Sequence, residues 1–132
     1  MRYVIDTHIF LWLIFLPEKI PVETLSFLNN PQNQVVITPI SFWEISLKYN
    51  LGKLILENTT PDRLPQLANM MNIGIEQIDS ECMASFHNLP RSKFHKDPFD
   101  RIIIWYCMRN DHTLVSMDRQ FDEYKSLGLK LL

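Results

Sequence analysis

The chain has 132 residues, 46% of them hydrophobic and 21% charged, with a net charge of −2 from 13 Lys and Arg against 15 Asp and Glu. This balance excludes a disordered chain and a strongly basic nucleic-acid binder, and the length suits one domain, 1–132, with a continuous core. Cys82 and Cys107 lie far apart without a CxxC spacing, which argues for free thiols in a reducing compartment and against a zinc site.

Tyr3–Ile5 reads as a short buried strand, and Ile9–Phe15 as a helix that is apolar nearly all round. The apolar run Ile9–Leu16 falls well short of the roughly 20 residues a membrane span needs. Asp6, His8 and Pro17-Glu18 around it do not fit a signal peptide, so a cytoplasmic protein is expected, with no membrane contact. The run is more apolar than one small helix needs, and part of it is expected to face a partner. A helix is predicted over Pro21–Leu28, with Pro21 at its first position, and Asn29-Asn30-Pro31 ends it. Val35–Ile37 is strand-like. Ser41 is then expected to cap a helix running to about Leu51, with Gly52 as its stop. Glu44 and Lys48 are four apart on it, which suits an exposed ion pair.

Further helices are expected over Pro61–Met71 and over Ser80–His87, the latter capped by Ser80, with a weak strand at Gly74–Ile78 between them. A polar loop, Asn88–Lys96, carries Arg91, Lys93, His95 and Lys96. Asp97-Pro98 opens a strong helix to Met108, followed by a strand at Thr113–Ser116. A short helical segment at Arg119–Tyr124 and an edge strand at Lys130–Leu132 close the chain. Trp12, Trp43 and Trp105 all fall in apolar helices and read as core. Strands alternating with helices predict an α/β fold, a parallel sheet with helices on both faces. No GxGxxG or GxxxxGK[ST] pattern occurs, so no nucleotide cofactor is expected.

Asp6, Glu44, Asp100 and Asp118 each stand where a hydrophobic segment gives way to a helical one. In an open parallel sheet, chemistry sits beyond the carboxyl ends of the strands. Each acid also has an innocent reading. Asp6 and Asp118 suit helix caps, and Asp97 before Pro98 is a ready cap. Asp100 suits the positive end of a helix dipole, and Glu44 a surface pair with Lys48. Acids converging from separate strand ends repel one another unless they share a cation. The set therefore points to a divalent-metal site, Mg2+ or Mn2+, acting on phosphate.

Four stretches, Val-Ile-Asp-Thr-His-Ile-Phe-Leu-Trp (4–12), Ile-Ser-Phe-Trp-Glu-Ile-Ser-Leu-Lys (40–48) with Leu-Gly-Lys-Leu (51–54), His-Lys-Asp-Pro-Phe-Asp-Arg-Ile-Ile-Ile (95–104) and Leu-Val-Ser-Met-Asp-Arg-Gln-Phe (114–121), occur in this order across the chain. They resemble PIN-domain ribonucleases, close to the VapC toxins of type II toxin–antitoxin systems. The resemblance implies a three-layer α/β/α fold around a mostly parallel sheet of four to five strands. It implies a metal-dependent endoribonuclease in which activated water attacks phosphorus, leaving a 5′-phosphate and a 3′-hydroxyl. Asp6, Asp100 and Asp118 are expected chiefly as metal ligands, and Glu44 suits either ligation or orientation of the water. Thr7, Ser116 and Asp97 are expected to support the site, with Ser116 standing where Thr is more usual. Arg91, Lys93, His95, Lys96 and Arg101 are the candidates for gripping the RNA backbone, with Lys48, Lys53 and Arg119 secondary. The implied partners are a cognate antitoxin docking near the first helices and a second copy of the chain. The alternatives are a DNA nuclease of the same fold, or a non-catalytic RNA- or protein-binding PIN module. A receiver-like signalling module would need a paired acid that Asp6-Thr7-His8 lacks.

Overall fold

A computed structural model describes residues 2–132. Strands β1 (Arg2–Ile5), β2 (Gln34–Ile37), β3 (Gly74–Ile75), β4 (Thr113–Val115) and β5 (Lys130–Leu131) form one sheet in the order β3-β2-β1-β4-β5. Every pairing is parallel. The connections carry α1 (Thr7–Phe15), α2 (Val22–Asn29), α3 (Pro39–Asn50), α4 (Leu64–Met70), α5 (Ser80–Ser85) and α6 (Pro98–Asn110), with a 3-10 stretch over Arg119–Leu127 before β5.

The three central strands, β2, β1 and β4, are buried on both faces, which is why their ends read as short apolar runs, while the edge strands β3 and β5 are partly exposed. Side chains alternate between the faces. Val4, Val36 and Leu114 meet Ile103, Ile104, Cys107, Phe121 and Tyr124 on one side. Ile5, Val35, Ile37 and Val115 meet Ile9, Phe10, Leu28, Ile45 and Leu64 on the other. Full burial of each such aliphatic side chain contributes about 1.5–3 kcal/mol. The result is the expected three-layer α/β/α arrangement, with five strands. Both cysteines are free and buried. Among the described residues, no helix is long and apolar enough to cross a membrane.

The topology positions the site. From β1 the chain winds outward through β2 to β3, then returns to the other side of β1 for β4 and β5. The strand order therefore reverses beside β1, and the crevice beyond the carboxyl ends of β1 and β4 is where such a sheet places a ligand. The Asp6 amide donates to Val115 O at 3.2 Å and ties these two ends together.

Several local expectations change. α3 begins at Pro39, preceded by an extended Thr38 whose hydroxyl makes no capping hydrogen bond, and Ser41 lies inside it, fully buried. Pro39 supplies a preset φ at the first helical position, and this outweighs the capping hydroxyl of Ser41. Glu44 consequently sits in the second turn and faces inward rather than outward. α2 starts at Val22, with Pro21 as the residue before it. Asp79, not Ser80, caps α5, accepting the Cys82 amide at 2.7 Å. The Pro61–Met71 helix opens as a 3-10 turn at Pro61–Arg63. β3 stops at Ile75, because Glu76 turns toward Arg2, Tyr106 and His112. Trp43 is not core: it is 60% exposed, packed edge-on against Phe99 with ring centroids 5.2 Å apart.

Candidate functional site

Asp6 ends β1 and caps α1, its Oδ1 accepting the Ile9 amide at 2.8 Å. The capping role is compatible with a site role, because the group is buried at the strand-end crevice. Burial raises its pKa; the Ser116 hydroxyl, the Ile9 amide and His8 oppose that, and the charge of Glu44 adds to it. Thr7, the first residue of α1, donates to Ser41 Oγ at 2.9 Å. This buried bond stitches the first turns of α1 and α3 together and sets Asp6 beside Glu44.

Glu44 is the most buried of the acids apart from its partner contact. Its side chain is 2% exposed, its Oε2 receives the Lys48 ammonium, and its Oε1 is buried with no hydrogen-bond partner. An orphaned carboxylate oxygen in the interior is costly unless something else completes it.

Asp100 lies in the first turn of α6. Asp97 caps that helix, its Oδ1 accepting the amides of Phe99 at 2.9 Å and Asp100 at 3.1 Å. Asp100 Oδ2 is 3.2 Å from His95 Nε2, and His95 Nδ1 is 3.0 Å from the Tyr124 hydroxyl. That hydroxyl accepts from Arg101 at 2.7 Å, and Arg101 also donates to the Pro90 carbonyl at 3.0 Å. Burial first, then the charge of Asp97, with Glu44 and Asp6 behind, pushes the Asp100 pKa up to about 6 against the opposing His95 bond. These mutual charge effects show that Asp6, Glu44, Asp97 and Asp100 share one electrostatic neighbourhood.

Asp118 stands at the rim. It is exposed and caps the 3-10 stretch, accepting the Gln120 amide at 2.9 Å, while Ser116 Oγ accepts the Asp118 amide at 3.1 Å. Ser116 thus touches both Asp6 and the Asp118 backbone. Among the described residues, no three His, Cys, Asp or Glu side chains close tightly enough on one point to grip a cation as they stand. The donor set nevertheless fits a hard divalent ion: carboxylate oxygens from separate segments, one of them buried without a partner.

The basic residues divide. Arg91, Lys93 and Lys96 are exposed on the loop leading to α6. His95 and Arg101 are buried and bonded inward, so neither offers its side chain to a phosphate backbone, and the expected gripping role is corrected for both. Their hydrogen bonds instead brace Asp100. Tyr124, which completes that brace, gave no local signal because it arrives from 29 residues away. Lys48 was visible only as a spacing, and its contact with a buried rather than exposed Glu44 depends on the inward turn of α3.

No curated protein sequence matches the chain significantly. Solved structures of similar fold include VapBC2 from Rickettsia felis bound to a promoter DNA fragment, at TM-score 0.68 and 20% identity, covering 100% of this chain and 98% of that one. VapBC-1 from nontypeable Haemophilus influenzae aligns at TM-score 0.65 and 15% identity over 100% and 97% of the two chains. DNA-bound VapBC from Salmonella typhimurium aligns at 0.63 and 16% over the same shares, 100% and 97%. The sequence profile of the PIN domain matches residues 3–127. With that match spanning nearly the whole chain, and a five-stranded parallel sheet flanked by helices, the chain belongs to the PIN domain family.

Proposed function

We propose that the chain is a metal-dependent endoribonuclease, the toxin of a toxin–antitoxin pair. The observation that carries this reading is the gathering of buried Asp6, Glu44 and Asp100 from three separate segments, with Glu44 Oε1 left unpartnered. Asp6, Glu44 and Asp100 would hold Mg2+ or Mn2+, with Asp118 completing the set from the rim. The ion supplies Lewis acidity toward the phosphoryl oxygen and lowers the pKa of water. Asp6 and Asp100 hold the ligand geometry through the Ile9 and Ser116 contacts and the His95 brace. Water attacks phosphorus, the 3′-oxygen leaves, and the products carry a 5′-phosphate and a 3′-hydroxyl. Arg91, Lys93 and Lys96 align the backbone of single-stranded RNA beside the acids. Asp97 supports Asp100 by fixing the first turn of α6.

The antitoxin belongs to the same proposal. A cleft of about 480 Å³ runs from Glu44 and Thr7 past Leu11, Trp12 and Phe15 of α1. Its apolar wall suits an amphipathic helix, and its inner end reaches Glu44, where a tail would block cleavage. The Rickettsia, Haemophilus and Salmonella structures are VapBC assemblies, which supports such a partner here. A homodimer is part of the same reading, supported by exposed Trp43 and Met83 on an apolar groove with Phe86 and Phe99.

The test is cleavage of RNA and of single-stranded DNA by the purified chain with Mg2+, Mn2+ or chelator. RNA cleavage is expected with either ion and is lost in chelator. Asp6→Asn and Asp100→Asn are each expected to lower it on the order of a hundredfold or more, with folding retained, since several kcal/mol of charge stabilisation goes. Cleavage that survives chelator or Asp6→Asn undiminished refutes the mechanism, and a preference for DNA refutes the substrate.

A further inference from the structure

Lys48 stands at the mouth of the acid site. It lies one turn beyond Glu44 on α3 and donates to Glu44 Oε2. The pair is asymmetric: the Glu44 side chain is 2% exposed and that of Lys48 is 37% exposed. The same ammonium feels the charges of Asp97 and Asp100 from α6. It also lines the α1 cleft with Thr7, His8 and Trp12.

A surface pair at this spacing is worth a few tenths of a kcal/mol. Glu44 changes that scale, because a buried carboxylate stripped of its counter-charge is strongly unfavourable. The lysine is under no matching constraint. Its flexible stem leaves the amine in contact with water, so it can leave Glu44 without becoming desolvated itself. One oxygen of Glu44 is thus held by a cation that can depart, and the other is held by nothing.

We propose that Lys48 is the resident counter-cation of the acid site, which a divalent ion must displace from Glu44 before the site can act. The inference rests on the metal-dependent reading above. In the metal-free protein Lys48 neutralises Glu44 and occupies its Oε2. This fits the absence of a closed three-acid grip among the described residues. When the ion arrives, the ammonium is released toward the cleft mouth, where it stands beside the path of an RNA phosphate. Metal loading and exposure of a phosphate-binding cation are therefore one event.

Two measurements on the full chain test this. Calorimetric titration with Mn2+ compares wild type, Lys48→Met and Lys48→Arg. Lys48→Met is expected to bind Mn2+ about tenfold tighter, an effect of about 1.4 kcal/mol, and Lys48→Arg to stay near wild type. In the wild type, acylation of the Lys48 amine, followed by mass spectrometry, is expected to accelerate when Mn2+ saturates. Unchanged or weaker Mn2+ binding by Lys48→Met overturns the displacement while leaving the metal site intact. Acylation that is unaffected or slowed by Mn2+ does the same, and needs no variant to fold. Wild type that binds no Mn2+, or binds it no better than Asp6→Asn, overturns the metal reading and this inference with it.

Discussion

Arg101, Tyr124 and His95 form a line of buried hydrogen bonds that ends on Asp100. Arg101 has only donors, so the Tyr124 oxygen accepts from it and the phenol proton is available to His95 Nδ1. The ring proton then sits on Nε2, facing the carboxylate. Tyr124→Phe removes the middle of this line and takes one buried hydrogen bond from each of Arg101 and His95. A loss of about 1–3 kcal/mol in urea-unfolding stability is expected. RNA cleavage should also fall, because Asp100 loses its brace. A variant as stable as wild type would mean the hydroxyl is replaceable by water. None of this was legible in the sequence, where His95 and Arg101 look like part of a basic, solvated loop. The four acids were legible, because each stands at a change of hydrophobic pattern. Which of them would be buried was not, since Glu44 and Asp118 share that sequence signature and end up at opposite extremes of exposure.

At the scale of elements, the first turn of α6 holds two acids with conflicting effects. Asp97 caps the helix, yet its charge helps push Asp100 toward protonation. The two effects can be separated. Asp97→Ala loses the cap and is expected to cost about 1 kcal/mol. Asp97→Asn keeps an acceptor for the Phe99 and Asp100 amides while removing the charge. In the metal-free protein at neutral pH it should melt at or above the wild-type temperature. If both variants destabilise equally, the capping geometry is not what Asp97 contributes. The Asp97-Pro98 cap was plain in the sequence, since Pro and Asp act locally. The start of α3 was misread for the same reason in reverse: two local signals, Pro39 and Ser41, compete within three residues, and the burial of Ser41 against Thr7 decides between them. The central strands were legible as short apolar stretches and β3 only as a weak alternation, and its early end depends on Glu76 meeting Arg2 and His112, which no local pattern announces.

For the whole molecule, the site works against stability when no cation is bound. The Asp100 carboxyl titrates at about 6 in the fold against an ordinary 3.8, and burial moves Asp6 in the same direction. The stability from holding that proton is complete below about 4 and lost as pH rises through about 6. Metal-free wild type should therefore lose melting temperature between pH 5 and pH 7.5 relative to Asp100→Asn, which lacks the titration. Mn2+ should raise the wild-type melting temperature more at pH 7.5 than at pH 5, because its ligands must be deprotonated. Equal stabilisation at both pH values would show that these carboxylates do not carry the ion. The sheet order has one more consequence, for synthesis on the ribosome. β1 is the central strand, and its second neighbour, β4, is made more than a hundred residues later. A nascent chain halted before Thr113 has one bare edge on β1, no Val115 carbonyl for the Asp6 amide, and no Asp118. Parallel pairing across so long a loop closes late, after the local helices have formed. On the nuclease reading, the ribosome that makes the chain is shielded from it until β4 and Asp118 have emerged.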